Sequence, residues 1–288
     1  MADFEKRLAI NVAKKSLVVL CCLFSSTAFA ERWFEVEVLV FKQLPAPYLQ
    51  EDFSLKHKAI EDKNTLDLLT PLYKEQAMQA CIDGDERFQK RSFTDSLVNL
   101  NPQSNVCDDS IDYIQSYDEL PVTPIAETQE TMEKTYLLSP EQLQFKTQYT
   151  ELVRKGLTPI LHTGWRFEEA SKSRAPSVRL IAGKHIRNNI NTIPSYSNPD
   201  FVSLLNSQPK LFNDPDKLNV NWELEGLFKI HLRHYLYITA DFDISQKLEN
   251  GDIESARFSQ FRRVISSEIH YFDHPRMGMI VQIRKFNH

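Results

Sequence analysis

The sequence predicts an α+β protein, a split β-α-β unit followed by a C-terminal antiparallel β-meander with one buried face. Three observations predict it. RWFEVEVLVF (32–41) alternates with period two, Ser139 to Gly156 carries helix start and stop signals, and even positions from Leu224 to Ile244 are mostly apolar while the odd ones are mostly polar.

Residues 1–30 read as a secretory signal peptide. Lys6, Arg7, Lys14 and Lys15 precede an apolar run, Leu17 to Phe24, which leads to Ala28-Phe29-Ala30, an A-x-A cleavage pattern. The run is far shorter than the roughly 20 apolar residues of a spanning helix. Bulky Leu20 ahead of Cys21 and Cys22 does not suit a lipid-attachment site. No later stretch is long and apolar enough to cross a bilayer, so the sequence predicts export, cleavage near Ala30 and no membrane insertion. Cleavage leaves 37 acidic and 30 basic residues and moves the formal charge from −5 to −7.

Residues 31–288 are expected to form a single α+β domain. In the first strand, Phe34, Val36, Val38 and Val40 share one face, with Glu35 and Glu37 on the other, the pattern of a half-buried strand. Pro45 and Pro47 end it. The segment 43–138 is polar and proline-punctuated, and 31–150 as a whole holds 11 Lys+Arg against 22 Asp+Glu. It reads as an acidic, partly flexible excursion with short helical pieces such as Asn64 to Leu69. Cys81 and Cys107 are the two cysteines left after cleavage. In an oxidising compartment such a pair is expected to be bridged, closing a loop whose chain-entropy contribution is about 3–4 kcal/mol.

Ser139, Pro140 and Gln142 make a capping box with proline in the first turn, and Gly156 supplies a stop, so a helix is expected from about 140 to 155. Strands follow at Leu157 to Phe167 and Val178 to Ala182, then a loop from Asn188 to Asn219. A strand of 21 residues from Leu224 would reach roughly 70 Å, so a bend or bulge is expected near His234. Arg257 to Phe272 and Met277 to Phe286 complete the meander, joined by a turn at Asp273-His274-Pro275-Arg276. Phe261, Ile265, Ile269 and Tyr271 are expected in the core, with Met277, Met279, Val281 and Ile283.

By the same alternation the outer face of the meander shows Lys229, His231, Arg233, Tyr235, Tyr237, Arg262, Glu268, His270, Gln282 and Arg284. Arginine forks suit carboxylates and aromatic faces suit sugar rings, so this face is the candidate ligand surface. The same face also reads as a cross-strand lattice covered by the excursion or the helix. His270 and His274, four apart on a strand, sit about 13 Å from each other and meet at one metal only through a tight turn. His231 and His234 point to opposite faces. Trp165-Arg166 reads either as a recognition corner or as core packing. No G-x-S-x-G elbow or H-E-x-x-H is present. No catalytic residue, metal, cofactor or nucleic-acid partner is therefore expected.

RWFEVEVLVF (32–41), LHTGWR (161–166), HLRHYLYITADFDI (231–244) and FRRVISSEIHYFDHPRMG (261–278) together resemble the CsiV family of bacterial periplasmic proteins. The resemblance implies a non-enzymatic role in the Gram-negative periplasm, binding peptidoglycan and supporting cell shape and wall biogenesis. It also implies a protein partner, the outer-membrane lipoprotein activator of a bifunctional penicillin-binding protein. It assigns no binding residues. An adaptor without wall contact and a wall-modifying hydrolase are the alternatives.

Overall fold

In the computed structural model the described residues are 32–43, 60–88, 90–91, 105–107, 112–129, 133–186, 222–248 and 251–286. The first half contains strand β1 (Trp33–Lys42), strand β2 (Thr65–Asp67), helix α1 (Leu69–Ile82), short strands β3 (Lys90–Arg91) and β4 (Asn105–Val106), and a 3-10 turn at Tyr113–Ser116. Strand β5 (Tyr136–Leu137), helix α2 (Lys146–Arg154) and strands β6 (Thr158–Glu168) and β7 (Ser177–His185) follow. The last five strands are β8 (Trp222–Leu232), β9 (Leu236–Lys247), β10 (Ile253–Val264), β11 (Ile269–His274) and β12 (Met277–Phe286). The expected signal peptide and the loop at 188–219 lie outside the described residues.

Two five-stranded sheets carry the fold: sheet A, ordered β11-β12-β1-β6-β5, and sheet B, ordered β10-β9-β8-β7-β2. Their apolar faces pack into one core. Val36, Val38, Val40, Trp165, Met279 and Val281 from sheet A share it with Phe228, Ile238, Phe242 and Phe258 from sheet B. Trp165 meets Phe228 edge-on at 5.5 Å, which settles Trp165 as core packing. The expected strand–excursion–helix–strand order holds, and its two strands, β1 and β6, lie side by side and antiparallel. Met277, Met279, Val281 and Ile283 are fully buried as expected.

β1 is buried on both faces rather than one. Glu35 and Glu37 are almost inaccessible, because Arg166 and Arg284 neutralise them and the segment leading into α2 covers them. A charged residue stays inside only when paired. The Glu35 partners stand 131 and 249 residues away in sequence, where alternation carries no information about them.

The helix before β6 begins at Lys146, later than expected. The capping-box bond forms, with the Ser139 amide donating to Gln142 Oε1 at 2.9 Å, but it closes a turn. Glu37 draws the true helix start downstream by accepting the amides of Gln144 and Phe145. The stop is as expected: Gly156 has φ +77°, and the Leu157 amide returns to the Leu152 carbonyl.

Within the acidic excursion, Asn64 to Leu69 holds a strand rather than helix, and α1 follows it. Leu69, Tyr73, Ala77 and Cys81, four apart, make its buried stripe. Leu69 and Tyr73 join the main core cluster with Ile181 of β7. Cys81 is bonded to Cys107.

At His234 the chain reverses instead of bending. Residues 233–235 turn β8 into β9, and Leu232 pairs with Leu236. A three-residue connection keeps even positions opposite even positions, which is why the apolar series survives the turn. The long strand expected at 257–272 is also two strands. β10 belongs to sheet B, a turn with Ser267 at φ 72° follows, and β11 joins sheet A. Phe261, Ile265, Ile269 and Tyr271 are consequently exposed rather than core; Ala256, Phe258, Val264 and Phe272 are buried in their place. The apparent period ran across a turn between two sheets.

Candidate functional site

The outer face of sheet B is built by register. In β8–β9 His231 stands opposite Tyr237, and in β9–β10 Tyr237 stands opposite Arg263, with Phe261 on the adjacent diagonal. The rings of His231 and Tyr237 lie 5.3 Å apart at 14°, and those of Tyr237 and Phe261 lie 5.5 Å apart at 0°. Cross-strand aromatic pairs of this kind each add roughly 0.5–1.5 kcal/mol beyond area burial. They fix a platform of rings stacked one on the next across three strands, whose outermost ring, Phe261, is 62% exposed. Beside it the β8–β9 turn raises Arg233 and Tyr235, and the Arg263 guanidinium sits 4.6 Å over the Tyr235 ring.

The charge here is positive, although the chain as a whole is acidic. Lys229 Nζ contacts Asp62 at 2.9 Å, and Ser177 Oγ donates to the same carboxylate. These two hydrogen bonds hold the Asp62 pKa down at about 2. Lys172 approaches from the β6–β7 connection, which is tied to the turn by the Leu232 amide donating to the Ala170 carbonyl at 2.9 Å. Burial first, then Lys172 and Lys229, lower the pKa of His231, so its ring is neutral near pH 7. Its Nδ1 is buried without a hydrogen-bond partner among the described residues. Arg233 and Arg263 are exposed and make no ion pair among the described residues, the Arg263 guanidinium lying over the Tyr235 ring. Flat rings beside unpaired guanidinium groups can hold a polymer that carries both sugar rings and carboxylates.

Five of the eight candidate residues, Lys229, His231, Arg233, Tyr235 and Tyr237, come together on this face. The other three lie elsewhere. Arg262 turns toward sheet A, donates to the Tyr271 carbonyl at 2.6 Å and lies over the Phe272 ring. With Gln260, which donates to the Asp273 carbonyl, it laces β10 to the edge of β11. His270 accepts the Ile265 amide at 3.0 Å. Arg284 is on the outer face of sheet A, donating to Glu35, Glu37 and Gln282.

Phe261, which the sequence placed in the core, belongs to the face, as do Arg263 and Lys172, which the sequence did not assign to it. The β9–β10 register that exposes the first two depends on the turn at 265–268, which alternation did not reveal. Lys172 is brought in by a loop and left no periodic signal.

Around Arg284 the structure holds a buried polar cluster. Glu37 receives His162 Nε2 at 2.8 Å and Arg284 Nη1 at 3.0 Å besides the two amides, and Glu35 receives Arg166 and Arg284. Burial pushes the Glu37 pKa up, but the hydrogen bonds from His162, Phe145, Gln144 and Arg284 together outweigh it and leave the pKa lowered. The carboxylate is therefore a fixed anion at neutral pH. Its partners are all within the protein, which makes the cluster structural. Among the described residues no group of three or more His, Cys, Asp or Glu could hold a metal ion. His274 Nδ1 accepts the Arg276 amide at 3.2 Å, as a turn histidine does.

Among the described residues no helix is long and apolar enough to cross a membrane. No curated protein and no solved structure matches the chain. The family model described as "Peptidoglycan-binding protein, CsiV" matches residues 12–286, nearly the whole length, and the chain belongs to that family.

Proposed function

We propose that the protein binds peptidoglycan through the outer face of sheet B around the β8–β9 turn. In this reading it is exported to the periplasm, loses residues 1–30, and performs no catalysis itself. The observation that carries the site is the ring stack of His231, Tyr237 and the exposed Phe261, with Arg233, Tyr235 and Arg263 beside it. Peptidoglycan offers pyranose rings for the aromatic faces and stem-peptide carboxylates for the guanidinium groups. The family description supports the ligand class.

Sedimentation with purified sacculi tests this. The wild-type protein is expected in the pellet, and Arg233→Ala with Tyr235→Ala is expected to shift at least half of it to the supernatant. An unchanged pellet removes the site. Soluble muropeptides released during the incubation would contradict the non-catalytic reading.

A second reading, as partner of the outer-membrane lipoprotein that activates a penicillin-binding protein, is favoured by a different surface. Ile265, Ile269 and Tyr271 are about half exposed along the β10–β11 edge, an apolar strip suited to protein contact. The two readings are compatible. Adaptor function without wall contact predicts lipoprotein binding with no sedimentation, and a wall-binding adaptor shows both.

A further inference from the structure

The two sheets part at the β6–β7 connection and leave a cleft of about 240 Å³. Trp165, Phe167, Val178, Phe228 and Ile230 form an apolar floor, and Glu168, Glu169 and Arg174 stand among its lining residues. The volume lies below the roughly 300–1,000 Å³ of a pocket for a drug-sized ligand, so it suits one residue rather than a disaccharide. The rim is held in place. The amides of Arg174 and Ala175 donate to the Ser171 carbonyl, Asn64 Nδ2 donates to the Arg174 carbonyl at 2.9 Å, and Ala170 is tied to Leu232.

Its position relative to the platform matters. Ile230 lines the cleft, and the next residue, His231, belongs to the platform, so the two sites occupy opposite faces of the same strand end. An apolar floor with Glu168 and Arg174 among the lining residues complements an aliphatic side chain ending in an ammonium and a carboxylate together.

We propose that this cleft is a second subsite that takes the zwitterionic end of a diamino-acid residue in a wall stem peptide, with Arg174 on its carboxylate and Glu168 on its ammonium. The proposal rests on the peptidoglycan reading and adds to it a preference for one residue type.

The probes are two synthetic stem tripeptides, one ending in meso-diaminopimelate and one ending in lysine, which lacks the second carboxylate. Calorimetric titration of the purified protein is expected to show the diaminopimelate peptide binding at least tenfold more tightly than the lysine peptide. Arg174→Ala is expected to erase that difference. Ala170→Phe, which fills the mouth, is expected to abolish both titrations while leaving the thermal midpoint within a few degrees of wild type. Equal affinity for the two peptides, or a preference that survives Arg174→Ala, overturns the proposal. If the wild-type protein sediments with sacculi but neither tripeptide titrates, the cleft is not a subsite and wall binding stands. If it fails to sediment while the diaminopimelate peptide titrates with the expected preference, the cleft stands and the wall-polymer reading falls.

Discussion

Glu37 shows how much of this fold turns on single side chains. It is fully buried, accepts two amides ahead of α2, and is paired with His162 and Arg284. Removing its charge leaves Arg284 underpaired in a dry site, and breaking a buried pair from one side costs about 3–5 kcal/mol. Glu37→Gln is therefore expected to lower the urea midpoint by a corresponding amount; a change below about 1 kcal/mol would show that the cluster relaxes or admits water. Its folded pKa is lowered, as is that of Asp62 at about 2. A depressed carboxylate stabilises the fold fully above its unfolded pKa, near 4, and loses that contribution as pH falls through the folded value. Stability should thus decline between about pH 4 and pH 2, and Asp62→Asn should flatten part of that decline in a urea titration repeated at each pH. A parallel decline in wild type and variant would mean that Asp62 keeps its ordinary pKa.

At the scale of elements, legibility followed locality. β1, β8 and β12 announced themselves by period-two alternation, and Gly156 marked the end of α2, because these signals lie within one segment. Errors arose where a distant group intervened. Glu37 moved the start of α2, and the buried pairs of Glu35 hid the second inner face of β1. The turn at 265–268 sent β10 and β11 to different sheets and turned Phe261 and Ile269 outward. The candidate face was legible to the extent that β8 and β9 form one hairpin. Arg284 and His270 were grouped with it because parity alone cannot say which sheet a strand joins. Gly278 shows the same limit: a Cβ there would lie 2.3 Å from the Phe41 ring, a contact between β12 and β1 that neither segment shows by itself. The stripe at Leu69, Tyr73, Ala77 and Cys81 was readable by its spacing of four, yet the acidic surroundings masked it. The bridge from Cys81 to Cys107 closes 26 residues of separation and anchors that helix. Reduction is expected to cost about 3–4 kcal/mol on the chain-entropy account, seen as a lower urea midpoint with reductant. An unchanged midpoint would mean that packing of α1 suffices.

On the scale of the whole molecule, charge separates function from background. The full chain carries a formal −5, so bulk electrostatics disfavour an anionic polymer. Attraction has to come from the local surplus of Lys172, Arg233 and Arg263, and it should weaken as salt shortens the Debye length toward about 8 Å at physiological ionic strength. The most direct test of the account is a sacculus-binding isotherm for wild type, for the charge reversal Arg233→Glu with Arg263→Glu, and for Lys155→Glu as an exposed control at the end of α2. Wall binding through sheet B predicts at least a tenfold loss for the double reversal and little change for the control. Equal binding by all three proteins would contradict it.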